Sequence, residues 1–197
     1  MATRQQRNSL PLRTISDFKS KLKGGGARPN LFEVELAFPD AIRIDNDVVE
    51  NARFLVKAAA LPASTIAPID VPFRGRILKI AGDRTFETWT ITVLNDVSFE
   101  IRSAFEKWMN YINKLDNATG VTDPVLYQKD AIVNQLDRAG GILRKYRFKD
   151  IFPTNISTID LNYETTDTIQ EFTVELQVHY WEAYKGSATG SGGEDIS

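Results

Sequence analysis

The sequence predicts a mainly β protein, an antiparallel β-sandwich or barrel with one flanking α-helix. Two observations lead to this prediction: apolar and polar residues alternate over several segments, and a single segment has helical spacing. The chain has 197 residues, of which 42% are hydrophobic and 25% charged. This length and composition suit a globular domain with a buried core of ordinary size.

Three segments alternate clearly and are predicted to be strands with one buried and one polar face. Their apolar positions are Phe32, Val34, Leu36 and Phe38; Trp89, Ile91 and Val93; and Phe172, Val174, Leu176, Val178 and Tyr180. Weaker signals indicate further strands near 52–60, 66–73, 76–81, 129–136, 142–151 and 156–163. Turn-forming residues separate these segments, at Arg74-Gly75, Gly82-Asp83, Gly140-Gly141 and Pro153-Thr154-Asn155.

One segment follows the helical period instead. Its apolar residues are spaced i, i+4, i+7, i+11 and i+14, at Ile101, Phe105, Trp108, Ile112 and Leu115. This stripe predicts a helix of about 98–115 that packs against the sheets. Asp96 or Ser98 could cap its first turn, and Gly120 and Pro124 keep it from resuming.

The ends of the chain differ from its body in charge and composition. Residues 1–28 carry seven bases and one acid, net +6, and residues 29–197 carry 17 bases and 25 acids, net −8. We therefore divide the chain into a basic N-terminal arm 1–26, a β domain 27–182 and a Gly/Ser-rich tail 183–197. A basic arm on an acidic body predicts that the arm docks on a negative partner, either nucleic acid or the body of another subunit.

Catalytic chemistry is not expected. The chain has no cysteine and one histidine, which excludes thiol catalysis and zinc–thiolate sites and makes a serine triad or a His-rich metal site improbable. His179 falls in the polar register of a predicted strand, where an ordinary surface side chain is the better interpretation. No cofactor is predicted, and no apolar run approaches the roughly 20 residues of a membrane span. Regular strands with exposed edges instead favour an oligomer.

Particular strings of residues then point to a family. They are ARPNLFEVEL at 27–36, KAAALPAS at 57–64, VPFRGRILKIAGDRTFETWTITVLND at 71–96, KDAIVNQLDR at 129–138 and FPTNISTIDLNYETTDTIQEFTVELQVHYWE at 152–182. In this order and spacing the chain resembles the tail tube proteins of T-even-like contractile-tailed phages. The most specific part is Gly82-Asp83-Arg84-Thr85-Phe86 before Trp89. The resemblance covers about 27–182, nearly the whole body.

The resemblance implies a structural, non-enzymatic virion protein. In this family six subunits form a ring, their inner sheets join into one barrel around the lumen, and the rings stack into a channel for DNA. The implied partners are other copies of the chain, the tail sheath protein, and baseplate and tail-terminator proteins. DNA would only pass through, no membrane would be contacted, and assembly would occur in the host cytoplasm. The sequence departs from the family at 1–26, at 183–197 and in an insertion-like stretch from Ala41 to Asn51.

We assign three sets of candidate interface residues. Contacts with a neighbouring subunit or ring are expected around a predicted hairpin, at Val71, Phe73, Arg74, Arg76, Asp83 and Arg84. Lumen-facing candidates on polar strand faces are Thr88, Thr90, Glu175 and Gln177. Contacts of the basic arm are expected at Arg4, Arg7, Arg13 and Lys19.

Three alternatives stay open at this point. The chain could be a baseplate protein that shares the tube fold and initiates the tube. It could be the tube of a phage-like injection or secretion system. A third alternative, of another class, is a β-barrel nucleic-acid-binding protein that uses its basic arm, for which DNA affinity would fall with salt according to the number of phosphate contacts.

Overall fold

A computed structural model describes residues 13–22, 26–185 and 194–195. The described helices are α1 Ile15–Lys21, α2 Asn46–Leu55, α3 Glu100–Ile112 and α4 Pro124–Tyr127, with a 3₁₀ turn at Asp40–Ile42. The described strands are β1 Phe32–Leu36, β2 Val56–Ala59, β3 Ser64–Phe73, β4 Arg76–Phe86, β5 Trp89–Leu94, β6 Lys129–Leu136, β7 Ile142–Ile156, β8 Glu171–Gln177, β9 Tyr180–Lys185 and β10 Glu194–Asp195. The prediction of a mainly β, antiparallel fold is confirmed.

The strands form two layers that share one long strand. The order is β1-β6-β7-β8-β5-β2, with β9 also paired to β7, and every pair is antiparallel. In β7, residues 144–149 pair with β9, and residues 152–156 pair with β8. We call β1, β6, β9 and the first half of β7 the first layer, and β2, β5, β8 and the end of β7 the second layer. The shared strand makes the two layers a single folding unit.

A bend within β7 allows this sharing. The pairing of β6 with β7 shifts register between Lys129 and Ala131, and Asp150 on the opposite strand has a left-handed φ of 54°. An irregularity of this kind bends a strand and increases its twist. The chain therefore leaves the first layer at Asp150 and enters the second without a connecting loop.

The core lies between the layers and is closed at one end by α3. The rings of Trp89 from the second layer and Phe148 from the first stack with centroids 4.3 Å apart, and both residues are fully buried. On α3, Phe105 and Trp108 meet the edge of the Phe38 ring at 5.4 and 5.6 Å. The indole Nε1–H of Trp108 donates to the Tyr127 carbonyl oxygen at 2.8 Å, so this buried donor is satisfied.

The prediction of one flanking helix is wrong, because the described residues contain more. The segment 52–60 was expected to be a strand, but α2 continues to Leu55 and only Val56–Ala59 is extended. Val48 and Ala52, spaced i and i+4, bury one face of α2 in the core. The insertion-like stretch 41–51 thus supplies a helix that packs on β1.

The predicted helix of 98–115 is confirmed as α3 but is shorter. It begins at Glu100, whose backbone N–H donates to Asp96 Oδ1 at 3.3 Å, and it ends at Ile112. Leu115 is 95% exposed, so the last position of the apolar stripe does not reach the core. The tight turn that begins after Ile112 removes Leu115 from the helical register.

Two strand predictions at the C-terminal end are also wrong in extent. The run 172–180 is not one strand, because β8 ends at Gln177 and β9 begins at Tyr180 on the other layer. The segment 156–163 leaves the sheet at Ile156 and continues as a loop. β9 continues to Lys185, beyond the predicted end of the body at residue 182. Gly24 and Gly25 of the predicted arm and residues 186–193 of the predicted tail lie outside the described residues.

The stacked pair between the layers gives a stability prediction. Phe148→Ala removes the partner of Trp89 and leaves a cavity between the layers, so we expect the free energy of unfolding to fall by about 3–5 kcal/mol. Leu115→Ala, at an exposed site, is the control, and we expect it to change that energy by less than about 0.5 kcal/mol. Urea titration of both variants measures the difference. Equal stability of the two would contradict the two-layer core.

Candidate assembly interface

The longest feature outside the core is the hairpin of β3 and β4. It continues the β2–β5 pair, through hydrogen bonds from Ala60 N–H to the Thr90 carbonyl oxygen at 3.2 Å and from Glu87 N–H to the Ala63 carbonyl oxygen at 3.1 Å. At its tip Arg74 and Gly75 have φ of 46° and 81°. Two successive left-handed residues form the type I′ turn that joins tightly paired strands. The hairpin thus extends the second layer at its edge by roughly 30 Å.

One face of this hairpin is apolar and uncovered. Direct cross-strand pairs place Ile69 beside Ile80 and Val71 beside Leu78, with Phe73 next along β3. These five side chains, which we call the hairpin apolar face, are between 38% and 65% exposed. The opposite face carries the Asp70–Lys79 ion pair at 2.8 Å. A two-stranded ribbon is marginally stable alone, and a contiguous apolar patch marks an interaction surface.

The outer edge of β3 is a poor site for adding another strand. The two-residue turn makes Phe73 and Arg76 a hydrogen-bonded pair, so the backbone nitrogens of residues 68, 70 and 72 point outward. Two of these residues are Pro68 and Pro72, which have no N–H to donate. The hairpin is therefore built to contact a partner through its face rather than through the edge of β3.

The structure brings together four of the six predicted contact residues. Val71, Phe73 and Arg76 lie on the apolar face at the tip, and the guanidinium of Arg74 lies 5.2 Å from the centre of the Phe73 ring. Arg84 is paired with Ile66 near the base of the hairpin, roughly 25 Å along β4 from Arg76. Asp83 and Arg84 therefore do not belong to the tip.

A β-bulge near the base of the hairpin explains why residue 82 is a glycine. The pairing shifts register between Ile66 and Pro68, opposite Gly82 and Asp83. A Cβ atom on Gly82 would lie 2.6 Å from the Ala67 carbonyl oxygen, so only glycine fits without moving the backbone. Residues 82–86, the part of the sequence that is most specific to the family it resembles, thus form the bend at which the hairpin leaves the body.

The predicted lumen residues fall on the outer face of the second layer, with one exception. Thr90 lies directly opposite Glu175, and Gln177 follows on the same side of β8. Thr92 and Thr173 form the next pair on this face. Thr88 precedes β5 and is exposed, so the prediction that it belongs to the strand is wrong. The face is polar and carries few charges.

The outer face of the first layer is charged instead, and the sequence did not predict its central cluster. Asp130 accepts from Lys149 Nζ at 2.6 Å and from Arg147 Nη2 at 3.0 Å. Burial raises the pKa of the Asp130 carboxyl, but hydrogen bonds from Lys149, the Asp150 backbone and Arg147 outweigh it, so the pKa lies below its ordinary value. Arg53 similarly reaches Glu35 at 2.8 Å.

In the basic arm, the described residues include a short capped helix that the sequence analysis missed. The Thr14 hydroxyl accepts from Asp17 N–H at 3.2 Å, and Asp17 Oδ2 accepts from Thr14 N–H at 2.9 Å, which is a capping box. These bonds hold the pKa of the Asp17 carboxyl below its usual value. Arg13 and Lys19 are exposed at this helix. Arg4 and Arg7 lie outside the described residues.

No reaction centre is evident in the part of the chain that the structure describes. There, no three histidine, aspartate or glutamate side chains are placed to hold a metal ion. His179 is exposed, with its ring 5.6 Å from that of Tyr180. None of the described helices is both long and apolar enough to cross a bilayer.

Solved structures with the same fold belong to contractile assemblies. A chain in the cryo-EM structure of the anti-feeding prophage cap, the AFP tube terminating cap, superposes with a TM-score of 0.60 at 15% identity, covering 81% of this chain and 91% of that one. A chain of the PVC sheath-tube complex, an extracellular contractile injection system in the extended state, gives a TM-score of 0.56 at 15% identity, with 84% and 97% covered. The fold is therefore that of a class found in contractile injection systems.

Sequence similarity defines the family within that class. The family model for the phage tail tube protein matches residues 27–184. The tail tube protein gp19 of Enterobacteria phage T4 is 37% identical over 160 residues, which cover 81% of this chain and 93% of the relative. The tail tube protein of Serratia phage KSP90 is 26% identical over 166 residues, covering 83% and 93%. This chain belongs to the phage tail tube protein family, as its sequence predicted.

The Asp130 cluster gives a prediction about pH. Because the folded pKa of Asp130 is lowered, the ionised carboxylate stabilises the fold above its unfolded pKa of about 4, and this contribution disappears as pH falls through the folded value. We expect Asp130→Asn to lower the free energy of unfolding at pH 7 by up to about 1 kcal/mol. The difference from the unsubstituted protein should shrink as pH falls below the unfolded pKa of about 4 and disappear below the folded pKa. Asp116→Asn, at an exposed turn, is the control, and a pH-independent effect of Asp130→Asn would contradict this assignment.

Proposed function

We propose that this chain is the structural subunit of a phage tail tube. Six copies form a ring, and stacked rings make the channel through which DNA enters the host. The observation that carries the proposal is the hairpin apolar face, which no other described part of the subunit covers. The chain that carries this face belongs to the phage tail tube protein family. The protein is not an enzyme. It works in the virion, after assembly in the host cytoplasm, with other copies of itself and with sheath, baseplate and tail-terminator proteins.

The hairpin drives assembly by burying its apolar face on a neighbouring subunit. Complete burial of one side chain of this size is worth about 1.5–3 kcal/mol before the costs of association are counted. Five such side chains on one ribbon therefore suffice for a specific contact when it is repeated around a ring. Arg74 and Arg76, at the tip, are placed to contact carboxylates at the rim of that contact.

The outer face of the second layer lines the lumen. A lumen must let DNA slide, and each base that binds a phosphate adds affinity through counterion release. Thr90, Thr92, Thr173 and Gln177 offer no positive charge on this face, and Glu175 repels phosphate. The base Lys57 reaches this face but is paired with Glu171 at 2.6 Å. The outer face of the first layer carries three bases along β7, Lys145, Arg147 and Lys149. Asp130 pairs with the last two, and the excess of bases on this strand would still attract the phosphates of a passing DNA strand. The six second layers would then join into the ring-wide barrel.

A tube subunit of a phage-like injection system is the second candidate. Its support is the fold shared with chains of such assemblies, whereas the sequence identity is higher to phage proteins. A tube-initiating baseplate protein would form one ring instead of a long tube. Electron microscopy separates this last alternative from a tube subunit.

The proposal predicts that the purified protein forms rings and hollow tubes visible by negative-stain electron microscopy. Leu78→Glu places a charge on the hairpin apolar face, and we expect a folded subunit that no longer polymerises. Ile77→Glu is the matched control, since Ile77 is the next residue of β4, is 63% exposed against 59% for Leu78, and points to the opposite face.

The measurement is sedimentation velocity of both variants, with circular dichroism to verify folding. Tubes from Leu78→Glu as abundant as those from Ile77→Glu would remove the hairpin apolar face from the interface. A protein that stays monomeric at high concentration, with and without a baseplate seed, would overturn the tail tube proposal itself.

If the second layer lines the lumen, replacing a glutamate on that layer should slow DNA release more than the same replacement on the first layer. Glu175→Lys adds one base per subunit on the second-layer face, six per ring, and we expect slower DNA release from phage carrying this variant, relieved by added salt. Glu182→Lys makes the same change on the first-layer face and should release DNA at the normal rate. DNA release triggered in vitro and followed by a fluorescent dye measures both. The reverse order of effects would place the first layer at the lumen.

A further inference from the structure

The short helix of the arm presents an apolar surface of its own. Ile15, Phe18 and Leu22 lie on one side of α1, and they are 46–76% exposed. Arg13, Lys19 and Lys21 make the surrounding surface positive, against one acid, Asp17. A helix of seven residues is barely stable in water on its own. Its capping box therefore fixes a helix that needs a partner for its apolar side.

A second surface on the same subunit has complementary properties. The loop 157–170 carries three acids, Asp160, Glu164 and Asp167, and no lysine or arginine. Leu161, Tyr163 and Ile169 in this loop are each at least 70% exposed. Asp160, Leu161 and Tyr163 help to line a recess of about 430 Å³.

Arg102 does not neutralise this loop. Arg102 reaches the Ser157 carbonyl oxygen at 3.4 Å, but its guanidinium is already paired with Glu106 at 2.9 Å. The loop is thus an apolar and acidic counterpart of an apolar and basic helix. Opposite charges around apolar contacts favour one pairing over others and accelerate encounter.

The helix and the loop do not cover each other within the described subunit, where Phe18 is 65% and Tyr163 fully exposed. Gly26, at the root of the arm, lines the same recess as Tyr146 in the first half of β7, whereas the loop begins after Ile156 at the end of that strand. With a right-angle bend at Asp150, Tyr146 and Ile156 are roughly 24 Å apart. One helical turn and an extended chain from Phe18 to Gly26 span at most about 22 Å.

We propose that α1 of one subunit docks on the 157–170 loop of another copy, with Phe18 entering the recess beside Tyr163. This inference rests on the proposed tube function, in which copies are held close together. The two surfaces differ, so the contact is heterologous. A heterologous contact that does not close on itself propagates along an open polymer, as successive rings of a tube require.

Introduced cysteines test the contact directly, because the chain has no cysteine of its own. Equal amounts of Phe18→Cys and Tyr163→Cys protein are mixed, assembled into tubes and oxidised. We expect a disulfide-linked dimer in the tubes, since a disulfide forms only when the two Cα atoms approach within about 7 Å. Leu115→Cys replaces Tyr163→Cys in the control and should give no dimer with Phe18→Cys.

A matched pair of helix variants tests the energetics. Phe18→Glu places a charge on the apolar side of α1, and Ser20→Glu places the same charge on the opposite side. We expect Phe18→Glu to raise the protein concentration needed for half-maximal tube formation by about tenfold relative to Ser20→Glu, the effect of exposing one phenylalanine side chain.

The outcomes separate this inference from the tube proposal. Tubes that form normally but contain no dimer between positions 18 and 163, or a dimer with position 115 instead, overturn the docking and leave the tube function standing. Equal assembly of Phe18→Glu and Ser20→Glu also overturns it, because α1 then contacts DNA, sheath or nothing through that side. Failure of every variant and of the unsubstituted chain to form tubes overturns the tube function and the docking together.

Discussion

The fold depends on one bent strand that belongs to both layers. Because β7 turns at Asp150, its first half pairs with β6 and β9 and its end pairs with β8, and Phe148 just before the bend stacks on Trp89. The stack fixes the two layers relative to each other at the point where the strand crosses. This leaves the β2–β5 pair at the far edge of the second layer, free to extend into the hairpin.

The body and the hairpin are stabilised in different ways. The body buries aromatic residues from both layers and from α3, so it has a core of its own. The hairpin has one layer and therefore cannot bury its apolar face by folding alone. Pro68 and Pro72 limit aggregation along the edge of β3, while the exposed face stays available. A subunit of this kind folds first and completes the burial of its apolar surface only on assembly.

Alternation along the chain predicted most of the strands, because a half-buried strand shows its period in the sequence. It could not predict the break between β8 and β9, since apolar and polar residues keep alternating through Val178 while the chain crosses to the other layer. The turn dipeptide at Arg74-Gly75 located the tip of the hairpin. The residues that share a face of the hairpin depend on cross-strand register, which the sequence does not show. The register pairs Leu78 with Val71 and Ile80 with Ile69. It places Asp83 and Arg84 at the base of the hairpin.

The division of charge between arm and body bears on how many copies can be packed together. Residues 29–197 carry a net charge of −8, and their repetition around rings and along a tube causes a repulsion that opposes compact assembly. Residues 1–28, of net charge +6, reduce the net charge of each subunit to −2. If the arm lay in the lumen, its bases would meet the phosphates of passing DNA. An arm that reaches the acidic surface of another copy instead neutralises charge between subunits and adds no bases to the threonine-rich face of the second layer, where Lys57 is paired with Glu171 at 2.6 Å.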